Sequence, residues 1–283
     1  MNAPTTRFAP SPTGLLHLGH AYSACFAFAA ARRDGGRFLL RIEDIDGDRC
    51  RSEFVSAIEE DLAWLGVSWE MPVRRQSEHL QDYQAALNRL DDMRLLYPCF
   101  CTRADIAHEI ERSGAAPHGV DGPRYPGICR RLSGAQAAEG KAQGRPFALR
   151  LDMTKAFART GPLVWTDAAV GEVATDPQAC GDVVLARKAI GASYHLAVTI
   201  DDALQGVTLV TRGQDLFAAT HVHRLLQALL GLPVPRWHHH RMLTDSAGRR
   251  LAKRDRAATL QSLRAQGVTA AEVRAMVGVT IRS

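Results

Sequence analysis

The sequence predicts an α/β fold built on a parallel sheet and interrupted by an inserted subdomain. Two short apolar strands, at 6–9 and 37–42, alternate with helical segments over the first 96 residues. This alternation is typical of a parallel sheet with helices on its faces. Between residues 99 and 144 the chain becomes rich in Gly, Pro and Ala and carries three of its six cysteines, which indicates the insertion.

The elements of the first half each have a local signal. The strand at 6–9 ends in a Pro- and Gly-rich turn, and the Ala-rich segment that follows predicts a helix closed by Gly35 and Gly36. Two further segments have amphipathic helical periodicity, and Ser77 is a good N-cap for the second. The helices of this half are therefore predicted at 18–33, 52–65 and 77–96.

Strand signals return after the insertion. A helix before Gly231 and Pro233 and one or two terminal helices complete the second half. The strands are predicted at 147–152, 183–187, 194–200, 207–210 and 237–243, and the helices at 214–230 and within 259–277. The expected organisation is a split domain, with its halves at 1–96 and 183–283 and the insertion at 97–182.

Composition and the N-terminal segment argue against a signal peptide and against a membrane span. The 283 residues are 46% hydrophobic and 23% charged, as in a globular protein with a sizeable core. The N-terminus contains two prolines and no apolar core, and the longest apolar stretch, at 24–31, is far below the roughly 18 residues of a membrane span. We therefore expect a cytoplasmic protein without membrane contact. The formal charge of +5 suits a nucleotide or RNA partner and equally an ordinary surface.

The turn after the first strand has the chemistry of a nucleotide site. Prolines stiffen the turn at 10–14, and a helix is predicted to begin near His17. The free N–H groups of such a helix start attract phosphate. His17 and His20 share one side of the helix, and Gly19 leaves room for a flat ring against the backbone. A Pro-rich loop with two exposed histidines is the alternative.

The segment RFAPSPTGLLHLGHA, at 7–21, resembles the HIGH signature of class I aminoacyl-tRNA synthetases, in the form of the glutamyl and glutaminyl enzymes. The resemblance implies a Rossmann-like catalytic domain that forms an aminoacyl adenylate from ATP and Mg²⁺. It assigns His17, Gly19 and His20 to ATP binding and the two histidines to catalysis. Cytidylyltransferase-like enzymes share the HxGH helix start, but they do not predict the features that follow.

A second basic motif of this family, KMSKS, has a counterpart at 250–254, RLAKR. The resemblance assigns Lys253 to ATP binding and catalysis, because an ammonium neutralises charge on the departing pyrophosphate. Arg250 and Ala252 depart from the motif, so the resemblance assigns them no role. By itself this segment would be interpreted as a solvated basic run.

A glutamate pocket needs cations for two carboxylates and an anion for the ammonium. By resemblance, Arg7 binds the substrate side chain and Glu43 the α-ammonium. Asp215 is a weaker candidate, near the ribose or the amino group. The full set of predicted glutamate-binding residues is Arg7, Ala9, Ser11, Glu43, Tyr194 and Arg212. Without the resemblance, Glu43 and Arg212 would be interpreted as solvated or paired surface charges.

Three cysteines of the insertion indicate a metal site. Cys99, Cys101 and Cys129 supply three thiolates, one short of a tetrahedral zinc site. The candidates for a fourth ligand are Tyr125, His118 and His108. A similar CxC…YxxxC arrangement holds zinc in glutamyl enzymes, so the resemblance implies one structural Zn²⁺ bound by Cys99, Cys101, Tyr125 and Cys129. Three buried thiols are the alternative. Cys25, Cys50 and Cys180 are assigned to packing, and no disulfide framework is expected.

Only 30 residues follow Lys253, too few for the anticodon-binding domains of full-length glutamyl or glutaminyl enzymes. In this respect the chain resembles the glutamyl-Q tRNA(Asp) synthetases, truncated paralogues of glutamyl-tRNA synthetases. The resemblance implies a monomeric ligase that activates L-glutamate with ATP without needing tRNA. It then transfers glutamate to the queuosine base in the anticodon loop of tRNA(Asp).

Two other functions remain open at this stage. A minimal glutamyl-tRNA synthetase would charge the 3′ end of tRNA(Glu) with the same active-site residues. A non-catalytic, zinc-stabilised RNA-binding relic of a synthetase would have no use for His17, His20 and Lys253.

Overall fold

The structure is a computed structural model that describes residues 3–112, 118–119, 122–176, 180–187, 191–243 and 258–281. Its first half forms a three-stranded parallel sheet in the order β1-β2-β3. The elements are β1 (Thr5–Phe8), α1 (Leu18–Arg33), β2 (Arg37–Ile42), α2 (Ser52–Trp64) and β3 (Glu70–Arg75). The predicted bounds of α1 and β2 are confirmed. Strand β3 was not predicted, because its sequence EMPVRR has no apolar alternation.

The helix predicted at 77–96 is too long at both ends. Residues 76–78 form a 3₁₀ turn, α3 spans Leu80–Asp92, and Leu96 begins β4 (Leu96–Cys99). The predicted N-cap Ser77 was wrong, since the cap position belongs to His79. The backbone N–H and hydroxyl of Ser77 instead donate to the carboxylate of Asp44, at 2.8 and 2.7 Å. The turn is therefore tied to the loop after β2.

The middle of the chain forms a second sheet, which is antiparallel in the order β10-β7-β4. The helices and strands of this middle part of the chain are short, as the Gly- and Pro-rich composition predicted. The elements are α4 (Arg103–Arg112), β5 (His118–Gly119), β6 (Gly122–Pro123), α5 (Gly134–Ala142), β7 (Ala148–Leu151), α6 (Met153–Thr160), β8 (Val164–Asp167), β9 (Gly171–Ala174) and β10 (Val184–Arg187).

The last part of the chain completes a four-stranded sheet in the order β11-β12-β8-β9. Its elements are α7 (Tyr194–Leu204), β11 (Leu209–Gly213), α8 (Ala219–Leu230), β12 (Arg236–His240), α9 (Leu260–Ala265) and α10 (Ala270–Val277). The strand predicted at 194–200 was wrong, because this segment is the start of α7. Eight consecutive residues of α7, His195–Asp202, are buried, so its apolar run lacks the one-sided pattern that identifies a helix.

The first and last sheets meet where β1 lies beside β11. The N–H of Thr208 donates to the carbonyl of Thr5 at 3.0 Å, and the N–H of Thr5 donates to the Thr208 hydroxyl at 2.9 Å. Strand β12 is parallel to β11, as β2 is to β1. This junction brings the two halves of the chain together at one set of strand ends, where ligands bind in open α/β sheets.

Three apolar cores pack around these strands. Small side chains of α1, among them Ala21, Ala24 and Ala27, are fully buried against the first sheet. A second core joins α3, α6, α7 and α8, and a third packs Trp165 against Trp237 at 5.5 Å between ring centroids. Within the described residues, no helix has the length and apolar character needed to cross a membrane.

Candidate active site

A cavity of about 510 Å³ opens at the ends of β1, β2, β11 and β12, and we call it the strand-end cavity. It gathers the predicted site residues of the part of the chain that the structure describes, apart from the cysteine cluster. They are Arg7, Ala9, Ser11, His17, Gly19, His20, Glu43, Tyr194, Arg212 and Asp215. Lys253, with its neighbours Arg250 and Ala252, lies outside the described residues. One wall therefore combines segments separated by about 200 positions in sequence.

The two histidines of the turn cap the start of α1. The N–H of Gly19 donates to Nδ1 of His17 at 3.1 Å, and the N–H of His17 donates to Nδ1 of His20 at 3.3 Å. Their rings lie 3.9 Å apart, on the same side as predicted. A neutral imidazole that accepts through Nδ1 carries its proton on Nε2. Each ring, when neutral, therefore carries its proton on Nε2.

Gly19 is required by this cap. A Cβ built at this position would lie 2.9 Å from Cε1 and 3.1 Å from Nδ1 of His17. The flat ring that packs against the Gly19 backbone is therefore that of His17. The sequence predicted the need for space at Gly19, but it could not show which group would fill that space.

Arg7 lies at the end of β1 and is buried. Its Nε and a terminal nitrogen donate to both carboxylate oxygens of Asp202, at 2.9 and 3.3 Å, and its other terminal nitrogen donates to the carbonyl of Thr211 at 3.1 Å. Burial raises the pKa of Asp202, but Arg7 and Arg41 outweigh it and hold that pKa below the usual range. Arg7 thus has an internal counter-charge before any ligand binds.

Asp202 belongs to a larger buried group, which we call the aspartate network: Asp201 and Asp202 with Arg7, Arg41 and Arg74. Arg41 is completely buried and donates to Asp202 at 2.8 Å. Arg74 donates to Asp201 at 2.7 Å, which also accepts from Gln76 and Tyr83. This network was not predicted, although the charge of Arg41 inside an apolar strand was a signal.

Glu43 joins the network to the cavity. A terminal nitrogen of Arg41 donates to its carboxylate at 3.2 Å. Burial raises the pKa of Glu43, and the nearby Arg41 and Arg7 oppose that rise without cancelling it. Glu43 is therefore a largely buried carboxylate, with 10% of its side chain exposed, beside a cation, at a place where a bound ammonium would favour its ionised form.

Arg212 has different surroundings. Its Nε donates to Nε2 of His239 at 3.2 Å, and one terminal nitrogen lies 3.1 Å from Nδ1 of His223. The same terminal nitrogen donates to the Tyr194 hydroxyl at 3.4 Å, and the other terminal nitrogen donates to the Thr220 hydroxyl at 2.6 Å. We call this group the arginine cage: Arg212 with His239, His223, Thr220 and Tyr194. None of these hydrogen-bond partners is a carboxylate.

The cage histidines are kept neutral. Burial, then Arg212, lowers the pKa of His239 to about 4, although Asp167 opposes the shift. The pKa of His223 is also lowered well below its usual value, first by burial and then by Arg212. Burial also lowers the pKa of Arg212, but an arginine stays protonated in proteins, so its charge lies in the cavity wall beside neutral partners. His239, His223 and Asp167 were not predicted, since histidines in a buried helix or strand are ordinarily packing residues.

A second cavity of about 570 Å³ adjoins the first, and we call it the insertion cavity. Ser11, Glu43 and Tyr194 line both cavities. The arginines of the second cavity come from three different segments: Arg49, Arg150 and Arg187. A ligand in this space would approach the same Glu43 and Tyr194 from the side of the middle sheet.

The three predicted cysteines meet as expected. The sulfurs of Cys99, Cys101 and Cys129 all lie within 4.8 Å of one another, and those of Cys101 and Cys129 are 3.4 Å apart. The Tyr125 hydroxyl lies 3.5 Å from the Cys101 sulfur and accepts from the Cys129 N–H at 2.8 Å. His108 is not part of this group, and the side chain of His118 lies outside the described residues. All six cysteines are free thiols.

Comparison with known families identifies the class of protein. Residues 4–280 match the family described as tRNA synthetases class I (E and Q), catalytic domain. The chain therefore belongs to the class I tRNA synthetases. The predicted Rossmann-like parallel sheet, the class I resemblance and the assignment as a synthetase-type ligase are confirmed.

Within that family the chain is similar to glutamyl-Q tRNA(Asp) synthetases. It is 50% identical to the one from Rhodobacter capsulatus, over 97% of this chain and 99% of the relative. It is 42% identical to the one from Symbiobacterium thermophilum, over 93% of this chain and 82% of the relative. The resemblance to glutamyl-Q tRNA(Asp) synthetases, inferred from the short segment after Lys253, is thereby confirmed.

Solved structures agree in fold. A glutamate tRNA ligase from Elizabethkingia meningosepticum, in complex with its amino acid, matches with a TM-score of 0.74 and 27% identity over 90% of this chain. A glutamate-tRNA synthetase from Elizabethkingia anophelis matches with a TM-score of 0.77 and 26% identity, also over 90%. The chain spans about half the length of these two proteins, 52% and 53%.

Proposed function

We propose that this protein activates L-glutamate with ATP, without needing tRNA, and transfers it to the queuosine base of tRNA(Asp). The observation that carries the proposal is the strand-end cavity, which combines two arginines, a carboxylate and a capped helix start. The names of the similar proteins support the choice of tRNA(Asp).

The glutamate end of the cavity would be formed by the residues around Arg212. Among the residues that the structure describes, Arg212 has no carboxylate as a hydrogen-bond partner, so a substrate carboxylate would be its counter-charge. Arg7 adds a second cation near the same wall, and Glu43 would accept the α-ammonium. Ala9 and Ser11 would border the substrate, with the Tyr194 hydroxyl beside Arg212.

The ATP end would be formed by the start of α1. The Nε2–H groups of His17 and His20 would donate to the phosphates, together with the positive end of the helix. Gly19 keeps the His17 ring in place. We also propose Lys253 as the cation that neutralises charge on the departing pyrophosphate. Mg²⁺ would enter the site bound to ATP.

The reaction requires positioning and charge stabilisation, and no protein nucleophile. An oxygen of the α-carboxylate attacks the α-phosphorus of ATP, the bond to the β-phosphate oxygen breaks, and pyrophosphate leaves. A hydroxyl of the queuosine ring then attacks the carbonyl carbon of glutamyl-AMP. AMP leaves with the electron pair, and the hydroxyl proton passes to solvent or to the leaving phosphate.

The RNA would approach through the insertion cavity. Its lining combines the arginines Arg49, Arg150 and Arg187 with the carboxylates of Glu43, Asp46 and Asp182, so it offers donors for phosphate oxygens and acceptors for base N–H groups. An anticodon loop suits this space because its bases can be turned out of the stack. We propose that a monomer carries out both steps, with the catalytic halves at 1–96 and 183–283 and the RNA-facing insertion at 97–182.

The cysteine cluster fits a structural zinc ion. Tetrahedral zinc with Zn–S bonds of about 2.3 Å separates its sulfurs by roughly 3.8 Å, close to the spacing found here. Cys99, Cys101 and Cys129 would hold the ion, with Tyr125 as the fourth ligand. Bound zinc would tie the segment after β4 to the turn at 125–129. It would thereby fix the wall of the insertion cavity to which Tyr125 contributes.

The decisive experiment follows labelled glutamate into RNA. Full-length protein is incubated with ATP, Mg²⁺ and [¹⁴C]glutamate, with queuosine-containing tRNA(Asp), tRNA(Asp) lacking queuosine, or tRNA(Glu). We expect label only on the first, mapped to the anticodon, and glutamate-dependent pyrophosphate exchange without any RNA. Label on tRNA(Glu) alone would favour a minimal glutamyl-tRNA synthetase. Absence of exchange with and without RNA would favour a binding relic.

Zinc is tested by metal analysis of the purified protein. We expect about one zinc per chain in the wild type and its loss in Cys129→Ser. Cys50→Ser is the matched control, because Cys50 is a partly exposed thiol outside the cluster. Equal zinc in both variants, or none in the wild type, would contradict the assignment.

A further inference from the structure

Two histidines hold Arg212 by their unprotonated nitrogens. Arginine is always a donor, so the nitrogen of His239 that faces Arg212 Nε at 3.2 Å must accept. That nitrogen is Nε2. A neutral His239 must therefore carry its proton on Nδ1.

Asp167 accepts the hydrogen bond from this Nδ1–H group. Its Oδ2 lies 2.7 Å from Nδ1 of His239 and also accepts the His239 backbone N–H at 3.1 Å. The other oxygen, Oδ1, accepts the N–H groups of Ala169 and Val170 at 2.8 and 3.2 Å. An ionised carboxylate has no proton to give, so Asp167 admits only the Nδ1–H form of His239.

Asp167 is placed to act on Arg212 without touching the substrate. It lies at the end of β8, is 1% exposed, and does not line the strand-end cavity, and neither does His239. Strand β8 is paired with β12, which carries His239 beside Arg212 of β11. The order Asp167, His239, Arg212 therefore crosses three strands of one sheet toward the cavity.

We propose that Asp167 is a positioning residue for glutamate, which orients the Arg212 guanidinium by fixing the proton of His239 on Nδ1. This inference rests on the proposed function, because glutamate is the ligand that Arg212 would bind. If His239 carried its proton on Nε2, that N–H could donate only to the Thr220 hydroxyl, also 3.2 Å away, and would face the Nε–H of Arg212. Arg212 would then turn away from its present position. The positive charge would remain in the cavity, but the guanidinium would no longer keep its present orientation.

Asp167→Asn is the direct test. The amide cannot accept all four N–H groups that the carboxylate accepts, and an NH₂ group opposite His239 favours the Nε2–H form. In RNA-free pyrophosphate exchange we expect the KM for glutamate to rise about 10- to 100-fold, as for loss of a hydrogen bond to a charged group. The KM for ATP should stay within about twofold, because His17 and His20 are untouched.

A double-mutant cycle separates positioning from general damage. In His239→Gln the side-chain carbonyl can accept from Arg212 without a tautomer to fix. The single change should raise the glutamate KM less than Asp167→Asn does, and adding Asp167→Asn should raise it no further. An equal rise in both backgrounds would mean that Asp167 only supports the turn at Ala169 and Val170, which would overturn the proposal.

The tautomer has a readout independent of catalysis. Long-range ¹H–¹⁵N spectra of histidine-labelled protein, assigned by comparison with His239→Gln, should show His239 as the Nδ1–H form in the wild type and altered in Asp167→Asn. Wild-type His239 in the Nε2–H form would overturn the inference even in an active enzyme. If the wild type shows the Nδ1–H form but no glutamate-dependent exchange, the proposed function fails and the tautomer finding stands.

Asp152→Asn is the matched control. Asp152 is a similarly buried carboxylate, 5% exposed, which caps α6 through the N–H of Lys155 and lies outside both cavities. Asparagine is an equally good N-cap, so fold and glutamate KM should both be unchanged. A rise in KM with this variant matching that of Asp167→Asn would attribute the effect to loss of buried charge in general.

Discussion

The aspartate network and the arginine cage each accommodate a buried arginine, but with different partners. Both place an arginine in the wall of one cavity, at 6% exposure in each case. Arg7 is neutralised by the bidentate carboxylate of Asp202, whereas Arg212 is held by neutral imidazoles and hydroxyls. The first arrangement favours the folded state itself, and the second leaves a positive charge for a ligand. Buried cations of equal exposure can therefore serve stability or binding, depending on their partners.

The largest effect on stability should come from the network. Asp202→Asn removes the charge that both Arg7 and Arg41 contact, leaving buried cations under-compensated. We expect the free energy of unfolding to fall by about 3–5 kcal/mol, measured by urea denaturation at pH 7.5. Glu70→Gln, which breaks the exposed pair with Arg37, should cost at most about 1 kcal/mol. An undiminished stability of Asp202→Asn would remove the distinction between the two regions.

The same network predicts the direction in which the stability of the protein changes as the pH falls. Because the pKa of Asp202 is lowered in the folded protein, its contribution is fully present above the usual carboxyl range and is lost as the pH falls through that lowered pKa. The difference in stability between wild type and Asp202→Asn should therefore shrink below about pH 4.

The cage should show the opposite balance of effects. Arg212→Met keeps much of the side-chain volume but removes the charge. We expect kcat/KM for glutamate in pyrophosphate exchange to fall about 100- to 1,000-fold, as for a desolvated charge pair with a ligand. The loss of stability should be smaller than in Asp202→Asn. Arg37→Met, at an exposed arginine, is the control and should leave kcat/KM unchanged and cost at most about 1 kcal/mol of stability. A cage variant that mainly unfolds would contradict the comparison.

The smallest effect concerns a buried charge that belongs to neither region. Asp61 of α2 is 1% exposed and lies 3.6 Å from Arg264, and neither of its oxygens has a hydrogen bond within the described part of the chain. Burial raises its pKa to about 6, and Arg264 only partly opposes the shift. Because this folded pKa is above the usual value, ionising Asp61 costs stability as the pH rises from about 4 to 6.

Asp61→Asn should remove that cost. We expect it to be about 1–2 kcal/mol more stable than the wild type at pH 7.5, with the gain disappearing near pH 4. Urea denaturation across this pH range provides the measurement. Glu60→Gln, at the exposed neighbouring position, should show no such pH dependence. A gain that does not change with pH would mean that packing, and not charge, limits this position.

Local signals were sufficient for some elements and failed for others. The bounds of α1 and β2 were predictable because an Ala-rich helix with closing glycines and a compact apolar strand are both local patterns. Helix α7 was mistaken for a strand because it is buried on all sides. Ser77 was mistaken for a cap because its true partner, Asp44, lies 33 positions earlier.

The candidate site divides in the same way. The motif at 7–21 and the resemblance it carries sufficed to select Arg7, His17, His20, Glu43 and Arg212, which the fold then brought to one cavity. The partners of those residues were not predictable. Asp202 meets Arg7 across 195 positions, and Asp167 meets His239 across 72. No local sequence pattern indicates either pairing.

The sequence by itself therefore determined the family, the α/β class and the identity of the charged groups, because these depend on residue types at short spacings. The tertiary structure alone decided which cation is neutralised within the fold and which keeps its charge for a ligand. The physical reason is that the energy of a buried charge depends on what lies within a few ångströms of it in space. That neighbourhood exists only once β1, β11, β12 and α7 are assembled.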